Sequence, residues 1–83
     1  MFYVYILRSL GNENKLYIGV TRNIESRLKQ HDSDTNTNSY SAKFKPWGLE
    51  CFIAFKNKYL ATELEKYLKQ GSGFAFMKKR LLP

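Results

Sequence analysis

Four side chains in this sequence have the chemistry that hydrolysis of a phosphate ester requires. Tyr5 and Tyr17 supply two hydroxyls, Arg27 a guanidinium and Glu65 a carboxylate. A hydroxyl can orient or deprotonate a water, and an arginine neutralises the charge of a phosphate. A carboxylate can hold a divalent ion that polarises the phosphate and stabilises the leaving oxygen. Together these residue types favour a site that cleaves a phosphodiester.

Each of these residues also has a purely structural interpretation. Tyrosines on strands are most often amphipathic core residues, and an arginine or glutamate on a helix most often belongs to a solvated face. His31 lies near the end of a predicted helix, where its charge would be favourable at the negative end of the helix dipole. Residue type and spacing alone leave both interpretations open.

The alternation of apolar residues predicts three strands. Residues 2–7 are apolar on both alternating faces, which is typical of a central strand covered on both sides. Residues 11–14 have turn chemistry and residues 16–21 alternate again, so the first two strands should form an antiparallel hairpin. Residues 49–55 form the third predicted strand. One face of this strand carries Leu49, Cys51, Ile53 and Phe55.

A first helix is predicted directly after the hairpin. Asn23 is a good N-cap for a helix over residues 24–31. Arg27 and His31 lie four residues apart and therefore share one face of this helix. The apolar stripe of the helix consists of Ile24 and Leu28.

A second helix is predicted over residues 59–70, with Gly71 as its stop and Gly73 as a second break. Glu65 lies at the edge of its apolar stripe, so its carboxylate should be half inside the fold. The stripe consists of Leu60, Leu64 and Leu68, widened by Ala61 and Tyr67. Residues 74–82 are typical of either a short third helix or a basic tail. The outer positions of this last segment are Lys78, Lys79 and Arg80.

The order of the elements predicts a small α+β fold. Strand, strand, helix, strand and helix follow one another, and the length of 83 residues suits one domain over residues 1–83. Between the first helix and the third strand, residues 32–43 are polar. They predict an exposed loop that is long enough for a functional role.

The charge of the chain predicts a polyanionic partner. Fourteen lysines and arginines against seven acidic residues give a formal net charge of +7. The excess is concentrated in residues 56–83, which hold seven basic and two acidic side chains. A basic surface on a small domain favours nucleic acid, with a merely solubilising charge as the alternative.

The ligand inventory limits the kind of metal that the chain can hold. One cysteine, Cys51, and one histidine exclude an intrachain disulfide and a zinc site of Cys and His. A metal would have to be held by carboxylate, water and substrate oxygens, which is the habit of magnesium. The cysteine usage suits a reducing compartment. Neither a membrane-spanning run nor a signal peptide is predicted, so we expect a cytoplasmic protein without a membrane partner.

Several motifs in this order resemble the GIY-YIG nuclease family. The resemblance also covers the Pro46-Trp47 segment and the stretch 69–73, and it extends over nearly the whole chain. It is closest to the small stand-alone bacterial members of the family. The motifs that carry it are Tyr3-Val4-Tyr5, Tyr17-Ile18-Gly19-Val20-Thr21, Arg27 with His31, and Ala61 with Glu65.

The resemblance implies a fold and an activity. Family members have a three-stranded antiparallel sheet flanked by helices. They hydrolyse DNA phosphodiester bonds with one divalent ion, commonly magnesium, with manganese as a substitute. On this basis Glu65 is the expected metal ligand and Arg27 the expected phosphate contact. In the family, one of the tyrosines at the positions of Tyr5 and Tyr17 is proposed to act as a general base or to orient the water.

The resemblance leaves the general base open. A tyrosine with a pKa of about 10 is a poor base at neutral pH unless its neighbours lower that value. His31 matches a histidine of many family members and is an alternative proton acceptor. Lys69 matches a frequent family lysine. The expected nucleic-acid-binding residues are Arg27, Lys69, Lys78, Lys79 and Arg80.

Two departures from the family pattern are present. The first triplet is Tyr-Val-Tyr instead of Gly-Ile-Tyr, and only its last residue is chemical. Phe74 stands where related small proteins often carry an arginine, so one contact to DNA is expected to be lost. Because no DNA-recognition domain is evident, we expect low sequence specificity unless a protein partner supplies it. The type of DNA, including branched or damaged DNA, and cleavage of RNA stay open.

Two alternative interpretations remain. Residues 16–19 and 73–77 resemble the two signatures of RNA-recognition motifs, whose aromatic rings stack on bases. The longer signature should lie on the third of four strands, and the six residues after Met77 cannot build the helix and strand that must follow. The other alternative keeps the fold but lacks activity, as a catalytically idle or slow nucleic-acid-binding module. The filled catalytic positions favour the enzyme.

Overall fold

A three-stranded antiparallel sheet forms the centre of the computed structural model, which describes residues 1–33 and 39–83. Its strands are β1 (Phe2–Ser9), β2 (Leu16–Thr21) and β3 (Trp47–Phe55), arranged in the order β2-β1-β3. The hairpin of β1 and β2 and the central position of β1 confirm the predictions. The helices that follow make the fold α+β, as expected.

The central strand is buried on both faces because its apolar residues alternate in both directions. Val4 and Ile6 belong to one hydrophobic cluster, whereas Tyr5 and Leu7 belong to another. All four side chains are almost fully buried. A strand that is covered on both sides is required to be apolar throughout, which explains why residues 2–7 show no polar face.

A β-bulge in β3 corrects the predicted face of Leu49. Ile6 pairs with Cys51 but the next residue, Leu7, pairs with Leu49, so Glu50 is the extra residue. One extra residue reverses the alternation of a strand beyond it. Leu49 therefore lies with Phe52 on the side of the sheet opposite to Cys51 and lines a cleft there.

Two short helices cover the face of the sheet that carries Tyr5. α1 (Ile24–Asp32) begins as predicted, because the side chain of Asn23 accepts a hydrogen bond from the backbone N–H of Ser26. α2 (Tyr40–Lys43) corrects the predicted loop over residues 32–43, whose segment 34–38 lies outside the described residues. The indole N–H of Trp47 donates to the Ser41 carbonyl at 2.8 Å and ties α2 to β3.

The opposite face of the sheet is covered by α3 (Lys58–Leu68). Ala61 and Leu68 are fully buried against Val4 and Ile6. The predicted apolar stripe is too wide, since Leu60 and Tyr67 are 51% and 46% exposed.

The glycines after α3 begin a new helix, which corrects their predicted role as breaks. α4 (Gly71–Phe76) continues into a π-helical segment, Met77–Leu81, so the helix alternative is confirmed over the basic tail. Gly73 is buried, and a Cβ there would overlap the Tyr67 carbonyl. The close approach turns the chain back on α3. Met77 is buried as predicted, whereas Phe74 is 43% exposed. In the part of the chain that the structure describes, no helix is long and apolar enough to cross a bilayer.

Candidate active site

The hydroxyl of Tyr5 joins three of the predicted site residues. It lies 3.1 Å from Nε2 of His31 and accepts a hydrogen bond from Nε of Arg27 at 3.3 Å. Arg27 and His31 reach it together because they are four residues apart on α1, which packs against this face of the sheet. A terminal nitrogen of the same guanidinium donates to the side chain of Gln30 at 2.9 Å. The arginine is therefore fixed in orientation by two side chains.

Burial keeps the Tyr5 hydroxyl protonated. Tyr5 is 1% exposed, and this burial raises the pKa of its hydroxyl above the ordinary value, against the opposing effect of Arg27. The hydrogen bond to Tyr5 in turn raises the pKa of Arg27, so the guanidinium stays charged. The hydroxyl accepts a hydrogen bond from Arg27 and shares a second with Nε2 of His31, in which the histidine tautomer sets the donor and the acceptor.

Tyr17 presents a hydroxyl beside this buried cluster. Its ring is nearly parallel to that of Tyr5, with centroids 6.2 Å apart, and lies 4.3 Å from the His31 ring. The two tyrosines thus lie side by side on one face of the β1–β2 pair. Tyr17 is only partly buried, and within residues 1–33 and 39–83 its hydroxyl has no hydrogen-bond partner. It is free to meet a water or a substrate oxygen.

Gly19 makes room for the Tyr5 hydroxyl. The two residues are directly opposite each other in the β1–β2 pair. A Cβ at position 19 would overlap the hydroxyl and lie 2.6 Å from Cζ of Tyr5. No glycine in the described chain has a positive φ, so the requirement at position 19 is one of space and not of backbone conformation. The glycine of the motif therefore positions the tyrosine of the first triplet.

We expect Gly19→Ala to displace Tyr5 and so to impair both stability and activity. The ring cannot turn away freely because Arg27 and His31 hold its hydroxyl. Overpacking of this kind costs about 1–3 kcal/mol, which lowers the melting temperature of a domain this small by roughly 4–24 °C. Thermal unfolding and a cleavage assay measure the two effects. Gly11→Ala is the control, since a Cβ there meets nothing within 4 Å. Equal behaviour of the two variants would contradict the steric argument.

Glu65 approaches the cluster from the other face of the sheet. It lies on α3, and its side chain is 22% exposed, as the half-buried position predicted. Its charge is the last of the influences that raise the pKa of Tyr5, and Lys69, which it binds, lines a surface cleft together with Tyr17. β2 lies at the edge of the sheet, and its residue opposite Tyr5 is a glycine. Side chains from the two faces of the sheet can therefore meet at this edge. Lys69 donates to Oε2 of Glu65 at 3.2 Å.

The carboxylate of Glu65 suits a hard divalent ion whose other ligands are oxygens of water and substrate. Within the described ranges, no three His, Cys, Asp or Glu side chains are close enough together to enclose a metal. Only Oε2 of Glu65 is occupied by Lys69, which leaves Oε1 for a ligand. Magnesium commonly binds through one or two carboxylates and retains several waters. The residues therefore fit an ion that is completed by the substrate.

The remaining predicted nucleic-acid contacts lie apart from this cluster. Lys78, Lys79 and Arg80 are exposed on the π-helical segment, and none of the interactions found within residues 1–33 and 39–83 connects them to Tyr5 or Glu65. They provide a basic surface that is separate from the site. Lys69 is the predicted lysine that lies at the site itself.

Two contributions to the site were not predicted from the sequence. Gln30 orients Arg27, but a glutamine on an exposed helix face carries no signal of such a role. Tyr40 and Trp47 surround Tyr17, with ring centroids 6.3 Å and 6.0 Å from it. The density of aromatic residues was the only available indication, and it did not single out these two.

Comparison with known proteins places the chain in a family. The model of the GIY-YIG catalytic domain matches residues 1–80, so the chain belongs to the GIY-YIG family and is a nuclease domain by class. The family resemblance seen in the sequence is thereby confirmed.

The chain is also similar to individual relatives. It is 40% identical over 67 residues to a UPF0213 protein of Vibrio campbellii, covering 81% of this chain and 62% of that protein. For a UPF0213 protein of Clostridium perfringens the identity is 37% over 70 residues, with 84% and 72% covered. The structure-specific endonuclease subunit SLX1 of Debaryomyces hansenii is 38% identical over 71 residues, with 80% and 20% covered. The chain thus spans less than two thirds of the length of the Vibrio campbellii protein, and it spans one fifth of the length of SLX1.

Proposed function

We propose that the chain is a divalent-metal-dependent endonuclease that hydrolyses DNA phosphodiester bonds. The observation that carries the proposal is the triad in which the buried Tyr5 hydroxyl bonds both the part-buried Arg27 and the buried His31, beside the ring of Tyr17. A structural arginine does not require two side chains to fix its orientation. The family match and the similarity to an endonuclease subunit support the same activity.

The geometry supports different roles for the two tyrosines in this proposal. Tyr5 is too deeply buried to contact an attacking water, so it is a positioning residue that holds Arg27 and His31. Tyr17 has the free hydroxyl and orients the water. In hydrolysis the water oxygen bonds to phosphorus and releases a proton to solvent, the bond from phosphorus to the leaving deoxyribose oxygen breaks, and the leaving oxygen takes up a proton. Arg27 stabilises the negative charge that grows on the phosphate oxygens.

Glu65 would hold the metal ion through its carboxylate. A magnesium ion supplies Lewis-acid chemistry at the phosphate, and manganese has the same preference for oxygen ligands. Lys69 holds the carboxylate in place and adds a positive charge for the incoming DNA. Sequence specificity should be low, because phosphate contacts carry no sequence information, and a protein partner would be needed to supply it.

Cleavage of a panel of DNAs tests this function. We expect the purified protein to cut at least one of single-stranded, duplex, nicked or branched DNA with magnesium or manganese present. An excess of chelator should stop the reaction, and added magnesium should restore it. A parallel panel of RNAs establishes whether RNA is also cut. Salt-sensitive DNA binding without cleavage of any substrate would instead identify the chain as a catalytically idle member of the family.

A further inference from the structure

A cleft of about 340 Å³ adjoins the candidate active site at the edge of β2. It shares Tyr17 with the site, and Lys69, which bonds Glu65, lies at its rim. The cleft spans both sides of the edge strand, since Tyr40 comes from α2 on one side and Phe74 from α4 on the other. Its lining residues are Leu16, Tyr17, Ile18, Tyr40, Lys69 and Phe74.

Both flanking aromatic rings are exposed, and contacts hold the ring of Tyr40 and the backbone before Phe74 in position. Tyr40 is 44% exposed, but its hydroxyl donates to the Leu16 carbonyl at 2.9 Å and its ring stacks on Trp47 with centroids 5.8 Å apart. Phe74 is 43% exposed and follows Gly73, whose backbone is pressed against that of Tyr67. Rigid aromatic rings that face solvent are suited to stacking on a flat partner at low entropic cost.

The charge and the apolar lining of the cleft indicate the chemical class of its ligand. Lys69 is the one ionisable group with a formal charge among its lining residues, and it is 52% exposed. An apolar, aromatic floor with a cation at the rim matches a nucleotide, whose base stacks and whose phosphate is anionic. Because Tyr17 lines the cleft and the active site alike, such a nucleotide would be adjacent to the phosphate that is cut.

We propose that this cleft is a subsite for the unpaired base of a nucleotide next to the scissile phosphate, with the base against Tyr40 and Phe74. The inference rests on the proposed nuclease function and specifies its substrate class. A base that is stacked and paired within a duplex cannot enter the cleft, so the preferred substrate carries unpaired nucleotides at the cut. Unstacking is least costly in a strand that is already single.

Fluorescence of 2-aminopurine, which is quenched when the base stacks, tests the subsite without cleavage. A single-stranded oligonucleotide with one 2-aminopurine is titrated with protein in excess chelator. Phe74→Leu keeps an apolar side chain but removes the ring, whereas Phe74→Tyr keeps the ring. We expect Phe74→Leu to weaken single-strand binding about tenfold or more and to lose the quenching. Phe74→Tyr should retain both, and a fully paired duplex should bind all variants equally.

The pair Tyr40→Leu and Tyr40→Phe repeats the comparison on the other side of the cleft. Thermal unfolding verifies that each variant is folded. Because both positions are partly exposed, the losses of stability should be small. Wild-type quenching in Phe74→Leu and Tyr40→Leu would overturn the proposal, as would equal losses on single-stranded and duplex DNA. Quenching without any cleavage in magnesium would contradict the nuclease function and leave the subsite intact. Cleavage in magnesium, with wild-type quenching in both Phe74→Leu and Tyr40→Leu, would support the nuclease function and overturn the subsite.

Discussion

Glu65→Gln should abolish metal-dependent cleavage and leave the fold unchanged. The substitution removes the charge that would hold the ion but retains the shape of the side chain and an oxygen for Lys69. Loss of Lewis-acid stabilisation amounts to several kcal/mol, so we expect the rate to fall by about a thousandfold or more. The partly exposed pair with Lys69 contributes roughly 0.2–1 kcal/mol to stability, a small effect in thermal unfolding. Single-turnover cleavage at saturating magnesium measures the rate.

Glu63→Gln is the matched control for this prediction. It lies on the same helix and makes the same change in net charge. Its carboxylate is 47% exposed, pairs with Lys66 at 3.7 Å and accepts a hydrogen bond from the Tyr59 hydroxyl at 3.3 Å, with no contact to Tyr5 or Tyr17 among the described residues. Any general effect of a more positive surface on DNA binding should appear equally in both variants. A rate near the wild-type value in Glu65→Gln, or an equal fall in Glu63→Gln, would show that Glu65 is not the metal ligand.

Much of the fold follows from local patterns that have a single physical interpretation. The two apolar faces of residues 2–7 required a central strand, and Asn23 marked the start of α1. The elements that were predicted wrongly depend on distant partners. Leu49 changed face because of a bulge, and a bulge leaves no trace in apolar periodicity. Leu60 and Tyr67 carry the same kinds of side chain as core residues, and only the packed structure shows that they lie on the exposed side of α3.

The glycines near the end of the chain illustrate a different limit of sequence analysis. Gly71 and Gly73 were interpreted as breaks because glycine most often ends a helix. Gly73 instead lies within α4 because its hydrogen atom allows contact with the Tyr67 backbone. Gly19 serves the same purpose at the active site, where it accommodates the Tyr5 hydroxyl. Glycine is required both where two chain segments approach closely and where the backbone needs unusual freedom. Only the three-dimensional contacts show which of the two reasons applies at a given glycine.

The candidate site shows the same division between residue type and arrangement. Its residues could be selected from the sequence, because the chemistry of phosphate hydrolysis limits the choice and the family resemblance gave their positions. Their roles could not be assigned, since burial decides which tyrosine meets water. The deep burial of Tyr5, which raises the pKa of its hydroxyl, and the free hydroxyl of Tyr17 are properties of the packed structure.

Arg27→Ala should reduce the rate of cleavage far more than it weakens DNA binding. The guanidinium is oriented by Tyr5 and Gln30, which prepares it for charge that develops during the reaction. Loss of one such preorganised donor typically lowers kcat by about 100- to 1,000-fold. Binding should weaken only severalfold, because thirteen of the fourteen lysines and arginines remain. Tyr5 keeps its hydrogen bond to His31, so the fold should persist.

The design of the Arg27 experiment separates orientation from charge. Arg27→Lys keeps the positive charge but lacks the planar fork that reaches the Tyr5 and Gln30 side chains together, so its rate should lie near that of Arg27→Ala. Lys29→Ala is the control for lost charge on the same helix, since Lys29 is 79% exposed and pairs only loosely with Glu25. For all three variants, single-turnover rates are measured in magnesium and dissociation constants for DNA are measured in chelator. If Arg27→Ala loses rate and affinity by the same factor, the arginine merely binds DNA, and if Arg27→Lys is fully active, its orientation by Tyr5 has no catalytic role.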